Sequence, residues 1–168
     1  RYAAERGLER LLAGWICCNE AEALEALGRW SEARVVLQRA LLADSQGSSR
    51  VAAQTILARL LMRQGDAAAP GHVAALRAAA GVAPHDPQTF VPWTCCLALW
   101  ELANDRAERG LALLRDALPG SLTQEQVSQH VWDALPTVAA CLARTEEPAQ
   151  WAGWFDSLLS AAPTGAAT

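Results

Sequence analysis

The chain has 168 residues, 52% of them hydrophobic, and a formal net charge of −4, a length that fits one domain with a substantial core. Its 14 basic residues are all Arg, form no cluster and face 18 acidic ones, which argues against direct binding to nucleic acid, where several clustered cations are needed. No apolar run reaches the roughly 18 to 20 residues of a membrane span, and abundant Ala and Leu beside sparse Val and Ile point to an all-α protein.

Residues 1–6 read as the tail of a helix stopped by Gly7. A long helix is expected over 8–27, with Ala21 as a small contact residue and Leu24 and Leu27 as its apolar stripe. Gly28 ends it in a left-handed cap, and Ser31 is placed to accept from the amides that open the next helix, over 31–43. There Ala33, Leu37, Ala40 and Leu41 share one face. The polar run 44–49 is a linker.

A helix over 50–64 follows, with Ala53, Ile56, Leu57, Leu60 and Leu61 on one side, and Gly65-Asp66 repeats the stop-then-cap punctuation. Pro70 makes the next helix short or late in starting. Residues 81–87 form a break, with Pro87 as a first-turn proline. Helices over 88–103 and 106–118 are separated by Asp105-x-x-Glu108, read as a capping box. After Pro119-Gly120-Ser121, a helix over 124–144 carries Pro136, and the last helix spans 149–161. A single helical domain is expected over 1–162, with a disordered tail over 163–168.

Gly28, Gly65, Asp105 and Thr145 are read as equivalent turns, at intervals of 37, 40 and 40 residues. The step from Ala33 to Leu37 resembles the small-then-large step of a tetratricopeptide hairpin, whose repeat is about 34 residues. That resemblance implies a tetratricopeptide-like right-handed solenoid of about four helical hairpins, with looser linkers. The run from Gly7 to Leu41 goes further. Asn19, Ala21, Glu22, Ala23 and Leu24, followed by Ala26 through Ala33, resemble the helical sensor region of large ATP-binding, STAND-class regulators of the LuxR type. The resemblance implies a nucleotide-binding domain before this segment and a helix-turn-helix domain after it. Neither a GxxxxGK[ST] loop nor a helix-turn-helix signature is present here.

The five cysteines (Cys17, Cys18, Cys95, Cys96 and Cys141) show no C-x-x-C spacing and are read as reduced packing residues of a cytoplasmic protein. Ligation of a metal by them with His130 has no supporting spacing, so no metal and no cofactor is expected. Nor does any nucleophile and base stand at a catalytic spacing, and no enzyme activity is expected. Among the seven Trp, Trp30, Trp93, Trp100 and Trp154 are read as core.

The resemblance to tetratricopeptide arrays also implies an inner groove lined by first-helix residues. It assigns Trp15, Cys18, Glu22 and Glu25 to the groove from the first hairpin and Thr55, Arg59, Met62 and Arg63 from the second. The third supplies Cys95 and Leu99, the fourth Trp132 and Leu135. Such a mixture suits a protein segment or a small organic effector. The alternative is that Glu22 and Glu25 pair with Arg59 and Arg63, leaving the groove merely solvated.

The chain is thus read as a non-catalytic sensor segment of a larger, cytoplasmic LuxR-type regulator. The other reading is a free-standing adaptor that binds a protein partner. Incompletely covered apolar residues on the terminal helices (Leu8, Leu11 and Leu12 at one end, Trp151, Trp154, Phe155, Leu158 and Leu159 at the other) suggest a homodimer.

Overall fold

A computed structural model describes residues 9–42, 47–78, 87–118 and 134–161. Secondary structure among them is entirely helical, and the chain divides into two compact units, Arg1–His85 and Asp86–Thr168. The first contains α1 (Glu9–Ala26), α2 (Trp30–Leu42), α3 (Ser48–Gln64) and α4 (Ala69–Ala78). The second contains α5 (Pro87–Ala103), α6 (Ala107–Ala117), α7 (134–142) and α8 (Ala149–Ala161). The observed ends fall close to those read from sequence. The N-terminal tail, residues 124–133 of the helix predicted over 124–144, and the C-terminal tail lie outside the described residues.

The turns explain where helices stop. Gly28, Gly65 and Asp105 all take the left-handed conformation, with φ of 72°, 62° and 59°. At each, two backbone bonds close the helix end. The Gly28 N–H donates to Glu25 and the Arg29 N–H to Leu24; Gly65 and Asp66 donate to Met62 and Leu61, and Asp105 and Arg106 to Leu102 and Glu101. This pattern satisfies carbonyls that a helix terminus otherwise leaves orphaned. Thr145 is not left-handed, so the fourth turn departs from the expected series. Its hydroxyl instead accepts from the Glu147 N–H ahead of α8.

The openings of the second helices also differ from expectation in two of three hairpins. Ser31 lies within the first turn of α2, and the Arg29 carbonyl takes the Ala33 N–H. The Asp105–Glu108 capping box is not formed. Arg106 precedes α6 without a side-chain cap, Asp105 pairs with Arg144 and Glu108 accepts from Trp151. Asp66 behaves as expected, accepting from the Ala68 N–H at 2.8 Å.

Counted back from each left-handed residue, the same offsets are buried in three hairpins. Ala21, Ala58 and Ala98 are each fully inaccessible, one turn after the buried Cys18, Thr55 and Cys95 and one turn before Leu24, Leu61 and Glu101. Small residues at the middle offset let the neighbouring helix approach closely, while the flanking positions fill the space beside it. In the first unit α3 packs against both α1 and α2, and α4 packs on α3. The periodic faces read from sequence are buried as expected: Ala33, Leu37 and Ala40 on α2, and Ala53, Ile56, Leu57, Leu60 and Leu61 on α3. Leu27 and Trp30 are not core, at 69% and 39% exposure. They flank the turn itself, where the cap geometry rather than helix phase sets side-chain direction.

In the second unit α5 and α6 pack as a hairpin. Val91, Ala98, Leu111, Leu114, Val138, Cys141, Trp151 and Leu158 form one apolar cluster. Gly110 stands where Ala33 stands in the first hairpin, and a Cβ there would meet Cys141 Sγ at 3.0 Å and the Ala98 carbonyl at 3.1 Å. The expected exposure of the last helix is largely absent, since Trp151 and Leu158 are buried and only Leu159 is markedly exposed.

Candidate functional site

At the C-terminal end of α1, the Glu25 side chain is only 6% exposed and carries two guanidinium partners from α3. Arg59 donates to one carboxylate oxygen at 2.7 Å and Arg63 to the other at 2.8 Å. Glu22, one turn earlier, lies 3.6 Å from Arg59. A carboxylate taken this far out of water requires such paired, charge-assisted bonds. The two Arg therefore anchor α3 to α1, and the exposed Arg63 and Glu22 form a charged lip. Trp15 and Met62 are half-buried in the same pair of helices.

The other predicted groove residues divide differently. Cys18 is buried, with its Sγ 3.8 Å from the Ser49 carbonyl, and Thr55 is buried with its hydroxyl turned onto the Val51 carbonyl of its own helix. Both belong to the contact between helices, because their offset from the turn is the packing offset. Cys95 lies in the apolar cluster of the second unit, and Leu135 packs against that cluster, so neither lines a groove. Leu99 is half-buried. Trp132 lies outside the described residues.

The five thiols are free. Burial, then the nearby Glu22 charge and Cys17, pushes the Cys18 thiol up to about 12, and burial alone pushes Cys141 up to about 11. Both are protonated at neutral pH, the opposite of an activated nucleophile. Among the described residues no group of three or more His, Cys, Asp or Glu side chains converges as a metal site.

Two clefts accompany these features. One, of about 520 Å³ in the second unit, lies between the Asp105–Arg109 turn and residues 144–150. Its charges are largely satisfied internally: Asp105 by Arg144 at 2.6 Å, and Glu108 by the Trp151 indole N–H at 2.9 Å. Arg115 lies over the Trp151 ring at 5.1 Å. This cleft is the seam that fastens α8 to α6.

The other cleft, of about 450 Å³, opens on the outer side of the α1–α2 hairpin. Leu24 and Val36 are its buried members, and Glu20, Arg29, Glu32, Val35 and Arg39 surround them. Sequence reasoning did not single out this face. The signal was the stripe Glu32, Val35, Arg39 and Leu42 on α2, which a buried helix face would not carry.

Comparison with known protein families, curated proteins and solved structures returned no match.

Proposed function

We propose that the chain is a non-catalytic interaction segment, a tetratricopeptide-like helical repeat that serves as the sensor region of a larger, cytoplasmic LuxR-type ATP-binding regulator. The observation that carries the repeat reading is the recurrence, in three hairpins, of a left-handed turn preceded by a fully buried Ala at one offset. A fold built by repeating one hairpin presents surfaces rather than an enclosed pocket, and such surfaces bind protein segments or small effectors. The lip of Glu22 and Arg63, flanked by Trp15 and Met62, supplies charged and apolar groups side by side for that purpose.

In this reading the segment biases a nucleotide-dependent switch by contacting its two states unequally, since a ligand or domain without such a difference transmits nothing. DNA contact and ATP binding belong to the neighbouring domains. The test is made in the full-length protein. Neutralisation of the lip by Glu22→Gln, which leaves both Glu25 pairs in place, should weaken the response of ATP hydrolysis to effector while leaving basal hydrolysis unchanged. Effector response that survives deletion of the whole segment overturns the proposal.

A further inference from the structure

The outer face of the α1–α2 hairpin carries a pattern that the sensor reading does not use. On α2, Glu32, Val35, Arg39 and Leu42 follow one another at spacings of three and four, which places them on one stripe. All four are exposed, Val35 at 53% and Leu42 at 86%. Arg39 has no carboxylate partner among the described residues. Leu27, also exposed, lies at the turn end of the hairpin, while Leu42 ends α2 at the far end.

This stripe is complementary to its own reverse. Turned end over end about the point between Val35 and Val36, Glu32 falls opposite Arg39 and Arg39 opposite Glu32. Leu42 then reaches the turn end, where Leu27 stands exposed. We propose that this face is a homodimer interface, in which two copies pair through antiparallel α2 helices about a two-fold axis that passes beside Val35. Each Glu32 faces the Arg39 of the other copy, and each Leu42 approaches the Leu27 of the other.

An isologous contact of this kind uses one patch twice and closes on itself, so association stops at two. Glu32 is already held by Arg29 through two bonds of 2.7 and 2.6 Å. A carboxylate has room for a further donor, and the Arg29 clamp fixes its direction. A parallel pairing in register would set Glu32 against Glu32 and Arg39 against Arg39, which like-charge repulsion disfavours. The charge order along the stripe therefore selects the antiparallel arrangement. The inference stands on this face alone and is independent of the sensor role.

Sedimentation equilibrium of the whole chain tests it. The unaltered protein should show a reversible monomer–dimer equilibrium. Arg39→Glu and Glu32→Arg, each alone, should raise the dimer dissociation constant about tenfold or more, because each converts two attractive contacts into repulsive ones. Mixing these two variants should restore association, since in the mixed pair every contact again joins Arg to Glu. Val35→Arg sets two cations against each other at the axis and should also give monomer. All three positions are exposed, so circular dichroism should show unchanged helix. A chain that is monomeric at every concentration overturns the proposal. So does a dimer indifferent to these substitutions, or a mixture no tighter than its components.

Discussion

Gly28 and Gly153 both have open space where a Cβ would stand, with no atom within 4 Å, yet they should respond to alanine with opposite sign. Gly28 lies at φ 72°, where an L side chain collides with its own backbone, so Gly28→Ala should lower stability by about 1 kcal/mol. Gly153 lies inside α8 with ordinary helical backbone, and Gly153→Ala should raise stability by about 0.5–1 kcal/mol by restricting the unfolded chain. Paired denaturant melts check both. A loss at Gly153 would mean that the exposed face of α8 is occupied in solution.

The thiols offer a second reading at the same scale. Cys17 is partly accessible, whereas Cys18, Cys95, Cys96 and Cys141 are buried. Burial holds Cys18 and Cys141 protonated at neutral pH, up to about 12 and about 11. The thiolate is the reactive species. Maleimide labelling of the native protein should therefore modify Cys17 first and leave the other four until denaturant is added. Early modification of Cys141, located by peptide mass mapping, would show that α7 opens locally.

Elements meet through small residues, and there space decides rather than backbone conformation. At Gly110 a methyl group would stand 3.0 Å from Cys141 Sγ and 3.1 Å from the Ala98 carbonyl, tighter than most packed contacts, so its neighbours must shift. Gly110→Ala should therefore be destabilising by about 1–3 kcal/mol of overpacking, offset in part by about 0.5–1 kcal/mol of helix preference. Cys141→Ala in the same chain should recover part of the loss. The remainder persists because the carbonyl belongs to the α5 backbone. Thermal melts of the single and double variants measure this coupling. A neutral Gly110→Ala would show that α5 and α6 slide apart at no cost.

The elements also show what the sequence made legible. The α3 face of Ala53, Ile56, Leu57, Leu60 and Leu61 was readable because a helix interior obeys a 3.6-residue period whatever lies around it. The left-handed turns at Gly28 and Gly65 were readable for a similarly local reason. Glu25, Arg59 and Arg63 were recognisable as opposite charges on facing helices, but the burial of Glu25 was not, since it depends on how closely Ala21 and Ala58 let the helices approach. Cys18 and Thr55 were misplaced into a groove because a shift of one helix position exchanges the packing face for the open one. Leu27 and Trp30 failed where periodicity ends, at the turn. Trp132 and the first helical tail lie outside the described residues.

At the scale of the whole molecule, charge and burial set how stability responds to pH. Asp66 accepts from the Ala68 N–H and then from Arg34, and both hold its carboxyl below its ordinary value. Glu32 is lowered by its bond to Arg29. A carboxyl depressed on folding contributes stability above its unfolded pKa, and that contribution is lost as pH falls through the folded value. The acid limb should thus decline below the ordinary carboxylate range, and Asp66→Asn should make it shallower. On the alkaline side the sign reverses. Cys18 and Cys141 are raised from 9.0 to about 12 and about 11, so the folded state keeps protons that the unfolded state releases. Their contribution is complete below about 9 and is lost as pH rises toward 11 and 12. The chain contains no Lys, which removes the amines that ordinarily titrate near 10.4 and leaves this limb dominated by thiols. Melting temperature against pH should therefore form a plateau that falls at both ends. Cys141→Ala should flatten the upper fall without moving the lower one. An alkaline limb unchanged in a variant lacking both Cys18 and Cys141 would show that these thiols reach water before the chain unfolds.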